Sequence, residues 1–220
     1  MSVETYYKAV RPDGTDFYSG RIRWDQIVRH PSPGSPGNDD AKGYLSVSVS
    51  PTDCTGMEWP CRLLVVEPVD GVLVWEPTPS LPSKRASHAW RVVRELPAYE
   101  ALGPRGVEVA AFLELLPTLT SAQWAAAWCA VEDAAWYAAW NAVGDAARDA
   151  AWNAVENAAR DAARDAARAA VGDAVGNSAW CATLALLVRD LITTEQFDAL
   201  TAPMRAAGIN FDALTEADRD

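Results

Sequence analysis

Residues 124–183 read WAAAWCAVEDAAWYAAWNAVGDAARDAAWNAVENAARDAARDAARAAVGDAVGNSAWCAT. The stretch is a four-residue repeat that keeps its register for fifteen tetrads. Its first column opens on Trp124 and Trp128 and returns to tryptophan at Trp136, Trp140, Trp152 and Trp180. The second column is Asp or Asn through its middle, from Asp145 and Asp149 to Asp161 and Asp165. The third is Ala from Ala126 to Ala174, and the fourth is Ala or Val until Thr183. Alanine is the best helix former and is sparse in sheets, so the repeat predicts helix and disfavours a β-solenoid. Four residues overshoot one turn by roughly 40°, so each column winds around the helix in a right-handed spiral. Gly144, Gly172 and Gly176 are the natural places for a break, each costing about 1 kcal/mol against Ala. The pattern leaves open whether the stretch is one rod or several helices.

The side chains suggest two uses for these helices. Arg148, Arg164 and Arg168 have aspartates three residues before them, Asp145, Asp161 and Asp165, a pattern suited to exposed faces. The alanine columns let backbones approach closely, and the tryptophans supply large buried area at a few points. Either the helices fold back on one another, or their alanine faces meet another copy or a partner. In the second case Trp124, Trp128, Trp136, Trp140 and Trp152 are the expected interaction anchors.

Working outward, the sequence before the repeat predicts strands. Tyr6 to Val10 is the first and Phe17 to Trp24 the second, with the turn sequence Arg11-Pro12-Asp13-Gly14 between them. Residues 30–43 are rich in Pro, Gly and Asp and read as a loop. Tyr44 to Ser50 alternates strictly, which predicts a half-buried strand whose serines share a face. Pro51 to Pro60 holds a helical turn. Cys61 to Glu67, Val72 to Trp75 and Ala89 to Glu95 read as further strands, and Glu108 to Leu116 as an amphipathic helix. Pro117 ends that helix, and Thr120 or Ser121 caps the next. After the repeat, an apolar helix runs to Ile192, Thr194 caps a last one, and Gly208 ends it. Phe211 and Leu214 in the acidic tail are the residues expected to dock.

The chain has 220 residues and a formal net charge of −11. Residues 118–220 carry seven Arg, no Lys and fifteen acids, a net of −8. That balance disfavours direct nucleic-acid binding. It also admits a third role, an acidic decoy for a nucleic-acid-binding protein. The N-terminus lacks the basic segment and apolar core of a signal peptide, and no apolar run reaches the length of a membrane span. The expected location is therefore the cytoplasm. The cysteines Cys54, Cys61, Cys129 and Cys181 are scattered and His30 and His88 are the only histidines, so no zinc or other metal site is expected. No Walker or dinucleotide glycine motif is present. The residues thus nominate no catalytic group.

Two resemblances add to this reading. Lys8–Gly14 (KAVRPDG), Gly43–Cys54 (GYLSVSVSPTDC), Arg62–Glu67 (RLLVVE) and Trp90–Leu96 (WRVVREL) resemble a domain of uncharacterised bacteriophage proteins. The tetrads, with Leu186–Gly208 after them, resemble tails on proteins from phages of actinobacteria. These likenesses imply a phage origin, and so an infected bacterial host, and no activity. The order of pieces in the N-terminal half is also similar to ADP-ribosyltransferases of the Arg-Ser-Glu type. That similarity implies NAD as the ligand, with Arg11, Ser46 and Ser48 binding it. It departs from the family where a catalytic glutamate should precede the AWRVV strand, because Ala86-Ser87-His88 stand there.

The sequence thus predicts an α+β chain. A small β-rich domain over 1–103 is followed by an Ala/Trp-rich helical domain with long helices over 104–210 and an acidic tail over 211–220. The expected function is that of a non-enzymatic phage-type interaction or accessory protein with no cofactor, self-associating or binding a host or phage protein.

Overall fold

The computed structural model describes residues 4–30, 43–54, 57–69, 73, 83–129, 161–163 and 173–214. The chain divides into two compact units, Met1–Ala101 and Leu102–Asp220.

The first unit is built on six strands: β1 (Tyr6–Val10), β2 (Ile27–Arg29), β3 (Leu45–Ser48), β4 (Arg62–Pro68), β5 (Lys84–Ser87) and β6 (Ala89–Leu96). They form one sheet in the order β2-β6-β4-β1-β3-β5, with every pairing antiparallel. Alternation along the strands sends Val10, Leu45, Val47, Leu64, Val66 and Trp90 to one face, where they pack with Trp24 and Val28. Tyr6 flanks this core and meets Trp90 edge-on at 5.3 Å. Four consecutive residues of β4, Leu63–Val66, are buried, so this central strand is covered on both faces. Cross-strand ion pairs tie its ends to β6: Arg62 holds Glu95 through two nitrogens, and Arg91 holds Glu67.

The β-rich expectation for this unit holds, with two changes. Phe17 to Trp24 is not a strand. The carboxylate of Asp16 accepts hydrogen bonds from the Ser19 N–H, the Ser19 hydroxyl and the Ile22 N–H, and Gly20 sits at φ +65°. These local bonds compete with a ladder and win, leaving one bridge between Thr15 and Arg23. The second strand falls instead at Ile27–Arg29. The other change is β5, which lies in a stretch where no strand was expected. Most of the return strand expected over 72–75 lies outside the described residues.

The second unit contains α1 (Gly106–Leu115), α2 (Ser121–Cys129), α3 (Asp173–Leu187), α4 (Thr194–Ala206) and the single turn α5 (Phe211–Leu214), and residues 161–163 are helical. Every residue from Ala179 to Val188 is buried, so the C-terminal half of α3 is buried all round. It packs against α1, α2 and α4. Phe211 on α5 is buried between Phe112 and Phe197, at ring distances of 5.4 and 6.1 Å. Arg105 bridges Glu108 and Asp190, and the Gln123 side-chain amide donates to the Ala207 carbonyl at 2.9 Å.

The expectation of a helical domain with long helices is corrected. The described helices α1 to α4 have 10, 9, 15 and 13 residues. Alanine propensity favours helix but does not set its length; punctuation does. Leu116–Thr118 tightens into a 3-10 turn, and Thr120 and Gln123 form a reciprocal cap that restarts the chain as α2. Arg189–Leu191 repeats the device, and the cap that follows is Thr193 with Gln196 rather than Thr194. Gly208, at φ +92°, ends α4 as a left-handed residue past a helix end does. Residues 130–160 and 164–172 of the repeat lie outside the described residues. Among the described residues no helix is long and apolar enough to cross a membrane.

Candidate functional site

The serine strand does border a cleft. Strand β3 pairs with β1 at a single position, Tyr7 with Ser48. Where the two strands part, side chains take the place of the ladder. The Lys8 ammonium donates to the Ser46 carbonyl at 3.3 Å, and the Trp90 indole N–H donates to the Leu45 carbonyl at 2.7 Å. The Ala9 N–H on β1 hydrogen-bonds Cys54. These substitutions follow from the need to satisfy buried main-chain groups. The parting leaves a small cleft of about 10 Å³, room for about one water, open to solvent and lined by Tyr7, Lys8, Ser46, Ser48, Cys54 and Lys84 among others.

Two lysines line this cleft. Lys8 alternates with Tyr6 and Val10 along β1, so it sits on the core side, and its Nζ lies 5.2 Å over the Trp24 ring. Lys84 pairs with Ser48 across β5 and β3, is buried, and donates to the Asp53 carbonyl at 3.0 Å. Burial is the main cause that lowers both lysine pKa values, with Lys84 adding like-charge repulsion at Lys8. The Cys54 thiol is pushed up by burial, against the opposing pull of Lys84, the Ala9 N–H and Lys8. Cys61 is likewise pushed up by burial, to about 12. Such thiols are poor nucleophiles. For Asp16, burial acts to raise the carboxyl, but the bonds from Ser19 and Ile22 outweigh it and its pKa is lowered.

The residues nominated from sequence separate into three places. Ser46 and Ser48 both line the cleft, Ser46 exposed and Ser48 fully buried. Arg11 is not among the lining residues. Its guanidinium donates to the Phe17 carbonyl at 3.4 Å and stacks on the Phe17 ring at 5.9 Å, close against Gly20. Trp124 is fully buried in the second unit, its indole N–H without a hydrogen-bond partner among the described residues. Trp128 lies in α2, and Trp136, Trp140 and Trp152 lie outside the described residues. Sequence reasoning missed Lys8, Lys84 and Cys54. A signal existed for the lysines: the chain has only three, and Lys8 occupies an inward position in an alternating strand.

The described tetrads of the second unit show a packing column. Wherever the burial of the fourth column of the tetrad is described, at Ala127, Ala163, Ala179 and Thr183, the residue is fully buried. The two tetrads beginning at Trp124 and Arg160 share one gradation. Ala125 and Asp161 are exposed, Ala126 and Ala162 half-buried, Ala127 and Ala163 buried. Among the described residues no three His, Cys, Asp or Glu side chains gather as a metal site requires.

Comparison with known protein families, with characterised proteins and with solved structures returned no match.

Proposed function

We propose that this chain is a non-enzymatic interaction protein of bacteriophage type that acts by assembly. It joins copies of itself, or a phage or host protein, through the alanine columns of its tetrad repeat. The supporting observation is the repeat itself, small residues held in register for fifteen tetrads; at Ala127, Ala163, Ala179 and Thr183 its fourth column is buried within the chain. The repeat has fifteen fourth-column positions, all Ala or Val until Thr183. Small residues in register allow close helix packing, and the tryptophans of the first column add anchoring area. In the second column Ala125 and Asp161 are exposed, while Cys181, inside α3, is buried.

The test is co-expression of two differently tagged copies of the full chain. Retrieval of one tag with the other supports assembly with itself. Two folded copies that never co-purify count against it.

A second reading is favoured by the placement of Ser46 and Ser48 on one cleft, an NAD-binding domain related to ADP-ribosyltransferases. Against it stand the position of Arg11 beside Phe17 and the small size of the cleft. Thermal stabilisation by millimolar NAD supports this reading, and a melting temperature indifferent to NAD removes it.

A further inference from the structure

The chain has two histidines, His30 just past the end of β2 and His88 in the bend between β5 and β6. The sheet makes them neighbours. Strands β2 and β6 pair Val28 with Trp90 and Arg29 with Ala89. The His30 N–H donates to the His88 carbonyl at 3.0 Å, the next step of the same ladder. Residues opposite one another on antiparallel strands hold their Cβ atoms about 4.5–5.5 Å apart. The register also places both imidazoles on one face. Alternation puts His30 with Val28, whose partner is Trp90. His88 keeps the side of Trp90 through the bend, because the two side chains reach carbonyls two residues apart, Gly43 and Leu45. Each histidine is half-buried. The His88 Nδ1 lies 2.9 Å from the Gly43 carbonyl oxygen. A carbonyl can only accept, so Nδ1 carries the proton and Nε2 of the neutral ring keeps its lone pair. A main-chain carbonyl on one ring nitrogen is the support found behind a histidine that ligates a metal through the other. The Tyr44 ring, 5.5 Å from the His88 ring, packs beside it.

We propose that His30 and His88 bind a divalent transition metal ion of the zinc class between them. Neutral imidazole suits zinc, copper and nickel, whereas magnesium and calcium take oxygen ligands. Nitrogen–zinc bonds of about 2.0–2.1 Å set the two ring nitrogens roughly 3.3 Å apart, a span that side chains on opposed strand positions cover. His88 ligates through Nε2. His30 needs one ring nitrogen for the ion, and its other nitrogen serves an orienting bond as in other ligating histidines. Among the described residues no third His, Cys, Asp or Glu gathers with them, so water completes the coordination and the ion is exchangeable. A bound ion ties the end of β2 to the bend where β5 becomes β6, and it stabilises the first unit. This inference is independent of assembly through the repeat.

Zinc titration of the full chain tests the site, with protein purified without a polyhistidine tag and stripped of metal by a chelator. Calorimetry should show saturable binding of one zinc per chain. His30→Gln and His88→Gln should each weaken it at least about tenfold. Long-range proton–nitrogen NMR of the imidazoles guards against a variant that fails to fold, because the unaltered chain has only two such rings to follow. Both should shift together and saturate at the same zinc ratio. Absence of saturable binding at millimolar zinc overturns the proposal. Binding that moves one imidazole or neither overturns it too, since the ion then sits elsewhere, and so does full-strength binding by both folded variants.

Discussion

The same substitution, Trp→Phe, at two tryptophans of one core should have opposite consequences. Trp24 and Trp90 are both at most 1% exposed and belong to the same cluster. The Trp90 indole N–H donates to the Leu45 carbonyl at 2.7 Å, whereas the Trp24 indole N–H has no partner among the described residues. Phenylalanine at position 90 keeps a ring against Tyr6 but strands a buried carbonyl, at about 1–3 kcal/mol. The smaller ring leaves a void worth about another 1–2 kcal/mol. Trp90→Phe should therefore cost about 2–5 kcal/mol in the first unit. At position 24 the void is similar, but the substitution removes an unsatisfied donor and recovers about 1–3 kcal/mol. Trp24→Phe should fall between a gain of about 2 and a loss of about 1 kcal/mol. The assay is amide hydrogen exchange at β1 and β4, read at residues such as Val10 and Leu64, which reports opening of this unit without the helical unit. A gap of at least about 2 kcal/mol between the variants is the expected result. Equal losses within about 0.5 kcal/mol would refute the claim that side chains hold β3 where its ladder to β1 ends.

Other outcomes follow from the same reasoning. The Asp16 carboxyl is lowered below its ordinary value of 3.8, so its stabilisation is fully present above that value and is lost as pH falls through the folded-state pKa. Urea midpoints of the first unit should drop below pH 4, and Asp16→Asn should be less stable at neutral pH with a shallower acid decline. Thr193→Ala removes the bond that the Gln196 N–H donates to the Thr193 hydroxyl at the cap of α4 and should cost about 1 kcal/mol, read from exchange at the Gln196 amide. Ala182 is fully buried in α3, so Ala182→Leu should overpack it by about 1–3 kcal/mol and lower the melting temperature of the helical signal.

Much of the first unit was legible because its signals are local. Alternation in Tyr6–Val10 and Leu45–Ser48 and the apolar run Leu63–Val66 appear as strands close to where they were expected. The Phe17–Trp24 segment misled because aromatic content speaks for a strand while the deciding event is a side chain: Asp16 captures three donors within six residues. The cleft was half legible. Serines on one face pointed to its wall, but the lysines came from β1 and β5, 76 positions apart, and only the pairing of both strands with β3 joins them. In the second unit composition identified helix, and its repetition invited length. The short helices obey the caps at Thr120 and Thr193 and the glycine at 208, which residue propensity summed over a repeat does not weigh.

The most direct test of assembly through the repeat is the mass of the full chain in solution, by light scattering on a sizing column over a tenfold dilution. The account predicts a species of two or more chains that persists across the range. A mass of one chain at every concentration would contradict it and would mean that the alanine columns close only on themselves.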